Sequence, residues 1–307
     1  MLVTLLTVLV PSTAATQPAA SIDRILSAWE TADVVCLGED HGRVADSDLR
    51  LALVRHPQFA STVRVIVVEF ANPVQQDRLD RFIVEGQAMS RAELAPVWRE
   101  ASGAEVWESP IYEAFFRAVK EVNRRLPLAQ RVRVLGGDSP IDWARITTAE
   151  ELVPFLNRGR NIREIIAQQI LEPRLKGLAI YGARHCNKVG GGFPGDLADR
   201  YAAGRIWSVQ PLAGTDPVAS MLGLGDRPSY VIITGTPAAS MPAGAGFGVR
   251  AGTTLGGVLD AIAYHGRVAD SVSEADLSDL QARYSAEFAR RGRLRTEAQQ
   301  LLRQRRP

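Results

Sequence analysis

The chain has 307 residues, 46% of them apolar and 23% charged, proportions of an ordinary globular protein that exclude extended disorder over most of its length. That length allows one large core or at most two domains, and a single compact domain is the simpler expectation. A formal charge of +2 gives no electrostatic reason to expect a nucleic-acid partner, and the scarcity of Lys, found only at Lys120, Lys176 and Lys188, reads as a compositional bias.

The opening MLVTLLTVLVPSTAATQPAA has a mostly apolar run from Leu2 to Val10, then Pro and small residues. It is too short for a membrane span, which needs about 20 apolar residues. It suits a secretory signal over residues 1–20 and hence export, although no Lys or Arg precedes the apolar run; a cytoplasmic protein with a misassigned start codon is the alternative. The stretch SIDRILSAWETA then reads as a helix with Ser21 as its N-cap. Four strands follow, at Asp33–Gly38, Val63–Phe70, Arg131–Gly137 and Gly177–Gly182. Their continuous β-branched runs suit strands buried on both faces. Alternation with amphipathic stretches predicts an α/β fold, a mainly parallel central sheet flanked by helices on both faces. The long segment between the second and third strands is mostly helical, and its residues 73–127 are expected to cap the sheet's carboxyl edge.

Further strands are expected at Arg205–Leu212 and Ser229–Gly235. The run of Gly244, Gly246 and Gly248 opens no helix and misses the dinucleotide fingerprint, so it reads as a loop. The α/β domain is placed at 21–270 and a C-terminal helix at 271–307. That helix is read from Glu274, with Leu277, Leu280, Tyr284 and Phe288 on one stripe. Its Arg-rich end suits a solvated helix terminus, where cations complement the dipole. Cys36 and Cys186 are too few for a disulfide framework and read as two small buried residues, each beside a repeated motif.

That repeat carries the chemistry. GEDH (Gly38 to His41) and GARH (Gly182 to His185) both follow an apolar strand. Each of the four central strands ends in ionisable groups: Glu39 and His41, Glu69, Asp138, and His185. In an open parallel sheet, ligands bind outside the carboxyl ends of the strands, so these groups point to one converging site. Glu69 is the most telling of them, since a carboxylate closing VIVVE is costly to bury without a partner; Arg43 and Arg184 flank the two histidine motifs. Glu39, His41, Glu69 and His185 form a ligand set suited to Mn²⁺, Fe²⁺ or Zn²⁺. Without metal the same groups, with Asp138, make a general-base site that activates water. His56 and His265 fall at expected helix ends and read as structural. A nucleophilic elbow and a P-loop are both missing. Ser139 is read as a turn residue before Pro140, and Cys186 points away from its neighbour His185.

Two Gly-x-x-His motifs with a strand-end Glu between them resemble the superfamily that joins Tiki and TraB proteins, haem-binding ChaN lipoproteins and erythromycin esterases. The residues concerned are GEDH, VVEF with Glu69, GARH and the late TTLGGVLDAIAYHG, so the resemblance spans Val34 to Gly266. It is closest to the ChaN and esterase branches. The resemblance implies an α/β fold with a site at one sheet edge, and two functions. One is a hydrolase acting on an ester or peptide-like bond with catalytic His41, Glu69, His185, Glu39 and Asp138. The other is an exported binder of haem or metal, with Glu39, His41, Arg43, Arg184 and His185 around the cofactor. The partner is then a small-molecule or peptide substrate, or haem.

Overall fold

The computed structural model describes residues 19–304, except 104, 203, 268–270, 279 and 281; most of the expected signal segment lies outside the described residues. Among the described residues seven strands form one sheet: β1 (Val34–Glu39), β2 (Val65–Val68), β3 (Arg133–Gly136), β4 (Gly177–Gly182), β5 (Ile206–Leu212), β6 (Ser229–Ile232) and β7 (Ala261–Tyr264). Their order is β3-β2-β4-β1-β5-β7-β6. Every pairing is parallel except β6 with β7. The mainly parallel α/β expectation is therefore met.

Alternation along the strands builds two cores. Val35, Leu37, Ile66, Val68, Leu178 and Ile180 turn to one face. There they meet helices α1 (Ala19–Ser27), α2 (Val44–Arg55) and α3 (Pro110–Asn123). Val34, Cys36, Val65, Val67, Ala179 and Tyr181 turn to the other face, against α4 (Arg158–Ile166) and the helix Phe193–Tyr201. Strands buried on both sides explain the near-continuous apolar runs of the sequence. From β1 the chain passes to β2 on one side, whereas β5, the other neighbour of β1, leads on to β6 and β7. The connections thus diverge between β1 and β5, and such a divergence opens a crevice at the carboxyl edge.

Several local expectations change. Ser21 lies inside α1, which starts at Ala19, so it is no N-cap. The C-terminal helix α5 spans Ala282–Gln304, beginning eight residues after Glu274; Leu277 is 48% exposed and gives no apolar stripe to dock. Leu294 and Ala298 of α5 instead pack on Ile141, Trp143 and Leu152. His265 follows a strand, β7, where a helix end was expected; it is buried, and its Nε2 lies 2.5 Å from Asp46 Oδ1. His56 does cap a helix, α2, and faces Asp23 at 3.4 Å.

The cysteines are buried as expected but they are bonded: a Cys36–Cys186 disulfide ties β1 to the turn after β4, with Cα atoms 5.6 Å apart and a sequence separation of 150. Too few cysteines for a framework still suffice for one staple. Cross-linking so long a loop restrains the unfolded chain, and a native disulfide contributes about 2–4 kcal/mol. Denaturant unfolding with and without reductant should differ by that amount; superimposable curves would show that the bond does not form in solution.

Candidate functional site

The sheet order places β2, β4 and β1 side by side, so Glu69, the Gly182 turn and the Glu39–His41 pair meet at the carboxyl edge. Glu39 closes β1, and His41 follows two residues later in a turn. His41 Nδ1 lies 3.0 Å from Glu39 Oε1. A carboxylate only accepts, so Nδ1 carries the proton and the neutral ring keeps its lone pair on Nε2. The far oxygen of Glu39 is held by the Arg50 guanidinium, and Tyr112 donates to Oε1 at 3.1 Å while accepting from the Gly42 amide at 3.0 Å. Arg50 is 1% exposed, with its guanidinium 4.9–5.8 Å from the ring centroids of Phe70, Tyr112 and Phe115. The Trp107 indole meets the His41 ring edge to face at 4.6 Å. Trp107 and Tyr112 both come from the segment between β2 and β3.

Glu69 is 1% exposed. Its Oε2 accepts from the Gly182 amide at 2.6 Å and lies 4.0 Å from His41 Nε2, and its Oε1 lies 3.6 Å from His185 Nε2 and is gripped by Arg158. Arg158 also donates through Nε to Asp138 at 3.0 Å, and Asp138 is fixed by the Ser102 amide and hydroxyl. Asp138 is buried, and these bonds join it to Arg158 and Ser102 rather than to either imidazole. His185 rides on the turn Ala183–Cys186. That turn is tied down by the disulfide, by Ser208 donating to Cys186 O, and by Gln210 donating to Ala183 O at 2.7 Å. A Cβ at Gly38 would sit 2.6 Å from Gln210 Oε1 and 3.1 Å from Ala183 Cα. Only glycine lets β1 pass this close to the turn.

The two imidazoles titrate in opposite directions. Burial works against a proton on His41, but the hydrogen bond to Glu39 and the charges of Glu69 and Glu39 outweigh it and raise its pKa. At His185 burial wins, reinforced by the positive charges of Arg158 and His41, and its pKa falls despite Glu69. Burial would likewise raise Glu69, yet Arg158, His185, His41 and the Gly182 amide hold it below the usual carboxylate range. Neighbouring groups pushed apart in this way are the arrangement that divides acid and base roles at neutral pH.

Arg43 and Arg184 stand apart from this cluster. Arg43 pairs with Asp40 at 2.6 Å, and both arginines line a neighbouring cavity. The four groups proposed as metal ligands do not form a cage. Glu39 is engaged by Arg50, Tyr112 and His41, and Glu69 by Arg158 and Gly182. Among the described residues no group of three or more His, Cys, Asp or Glu could hold a metal ion.

Arg50, Arg158, Tyr112 and Trp107 were not anticipated. Arg50 had a signal, since it shares the buried face of α2 with Leu49, Leu53 and Val54. Arg158 opens α4, where a cation opposes the helix dipole; a residue so placed has another reason to be there.

The family model for "Haem-binding uptake, Tiki superfamily, ChaN" matches residues 25–153, which include Glu39, His41, Glu69 and Asp138 but not His185. No curated protein sequence matches the chain. A Bacillus cereus protein of known crystal structure is 12% identical, covering 85% of this chain and 95% of its own, with a TM-score of 0.59. An erythromycin esterase mutant, EreC in its open conformation, is 12% identical, covering 82% of this chain and 95% of its own, with a TM-score of 0.52. ChaN of Campylobacter jejuni, solved with cofacial heme, is 17% identical over 64% of this chain and 87% of its own, with a TM-score of 0.44. At such identities the first two establish a shared fold. The resemblance carried by GEDH, VVEF and GARH thus meets a match to the ChaN-type model of the Tiki superfamily over residues 25–153 and a fold shared with the first two structures.

Proposed function

We propose that this chain is a hydrolase of ester or peptide-like bonds in which His41, oriented by Glu39, takes a proton from a water held between its imidazole and Glu69. The observation that carries this reading is the Glu39–His41 contact, which leaves the Nε2 lone pair turned toward the space shared with Glu69 and His185. The 4.0 Å between Nε2 and Glu69 is too long for a direct hydrogen bond, and a water bonded to both bridges it. The water oxygen forms a bond to the carbonyl carbon and its proton moves to Nε2. The bond to the leaving oxygen or nitrogen then breaks, and His41 returns the proton to that atom. His185, kept neutral, has an N–H to offer the carbonyl oxygen as charge builds there. Arg158 holds Glu69 ionised and in place. No step needs a metal, whose fit the engaged carboxylates do not support.

A panel of ester and peptide substrates tests the reading. Turnover should vanish in His41→Ala and in Glu69→Gln; activity that survives both sinks it. The pH profile adds a second check with a definite sign. The base must be neutral, and its pKa is raised above the ordinary histidine value of 6.5. The acid limb of kcat/KM should therefore lie above 6.5, activity growing as pH rises through it; a limb in the carboxylate range contradicts the assignment.

The family match favours a second reading, haem binding. His41 and His185, with side chains 35% and 28% exposed, are the available axial donors. Tyr112 and Tyr181 are buried and bonded to Glu39 and to Gly137 O. Hemin titration should then give a saturable Soret shift lost in His41→Ala and His185→Ala. Export accords with the disulfide, because such bonds persist in oxidising compartments.

A further inference from the structure

A second cavity, of about 220 Å³, opens in the crevice between the carboxyl ends of β1 and β5. It shares backbone with both histidine motifs, since Asp40 lies between Glu39 and His41 and Arg184 directly precedes His185. Its outer wall is the glycine run left without a role in the sequence, now the turn Ala245–Phe247 flanked by Gly244 and Gly248. The glycines have a local reason. A Cβ at Gly248, whose φ is +66°, would meet Arg184 Nε at 3.0 Å, and one at Gly246 would meet Asp216 Oδ2 at 3.0 Å. The backbone closes down on two charged side chains, and Asn187 holds it there by donating to Phe247 O at 2.9 Å.

The charges in this cavity are unevenly matched. Asp40 is paired with Arg43. Asp216 Oδ1 accepts from the Val218 amide at 2.8 Å. Arg184 makes no ion pair with any described residue, although its guanidinium presents a planar fork suited to carboxylate or phosphate oxygens. Phe247, Pro211 and Leu212 supply apolar wall beside it. The volume falls below the roughly 300–1,000 Å³ of pockets for drug-sized ligands, so it fits a small acid or one arm of a larger molecule.

We propose that this crevice is a binding site for an oxyanion, a carboxylate or a phosphate ester carried on a small apolar body, with Arg184 as its anchor and the Gly244–Gly248 turn as its wall. The site stands whether the neighbouring imidazoles hydrolyse a bond or ligate a cofactor. Neither arginine is thereby a catalytic residue.

Calorimetric titration of the full chain at low salt tests this, with benzoate and phenyl phosphate as probes and benzamide as the neutral control. At least one acid should bind saturably, and benzamide at least tenfold more weakly. Arg184→Gln should weaken the acid at least tenfold, Arg184→Lys less, and His41→Ala not at all. Preference for benzoate identifies a carboxylate ligand, and preference for phenyl phosphate a phosphate ester. Binding of neither acid, equal binding of benzamide, or a loss that follows His41→Ala while Arg184→Gln binds normally would each overturn the proposal. Arg184 is exposed, so its variants should keep the wild-type circular dichroism; the comparison of acid with amide in the wild type decides independently of them.

Discussion

Arg50→Met should lower the unfolding free energy by about 3–5 kcal/mol, because removing one member of a buried ion pair strands the other charge. Glu39 is 4% exposed and Arg50 1%, so water cannot replace the lost partner. Methionine keeps much of the volume among Phe70, Tyr112 and Phe115, which confines the effect to the charge. Glu39→Gln should cost a similar amount for the converse reason. The double variant, in which neither charge remains, should recover much of the stability, since neutral replacements of a buried pair are often well tolerated. Urea unfolding of the four proteins supplies the cycle. Additive losses would show that the two charges do not depend on each other, and the account of Glu39 as an orienting carboxylate held by Arg50 would fall with that result. Recovered stability without recovered activity would separate the two roles of Glu39, one in the core and one at His41.

The same pair marks how far the sequence could be read. Glu39, His41, Glu69 and His185 were visible because strands of a parallel sheet share one polarity, so whatever follows each strand arrives at the same edge. Adjacency was not visible: it comes from the order β2-β4-β1, which no local pattern encodes. Arg50 and Arg158 left only a weak signal, for a related reason. Their roles depend on how a helix is rotated and docked, and a single Arg in an amphipathic segment usually reads as solvated. β7 was ambiguous for want of length, as AIAY is too short an apolar run to tell strand from helix by period. The disulfide escaped because two cysteines far apart in sequence look alike bonded or free; only the pairing of β1 with β4 in register brings Cys36 opposite Ala179 and near the turn that carries Cys186.

Gly182→Ala is expected to reduce turnover by about a hundredfold or more while leaving the fold intact. The residue adopts φ −50° and ψ 138°, a conformation open to alanine, so the backbone imposes no strain. The added methyl is the issue. It would lie 2.9 Å from His41 Cε1, 3.0 Å from His41 Nε2 and 3.3 Å from Glu69 Oε2, in the space assigned to the attacking water. His41 is about one-third exposed and can swing outward, which relieves the contact at little cost in stability but takes Nε2 away from Glu69. A displacement on the order of 1 Å at a reacting group can cost about 10² in rate. The amide that donates to Glu69 is retained, so the carboxylate stays where it is and the loss reports on the space alone. Full turnover in Gly182→Ala would place the water elsewhere and remove the basis for His41 as its base. Lost turnover with an unchanged hemin titration would assign the slot between His41 and Glu69 to hydrolysis and leave haem, if it binds, outside that slot.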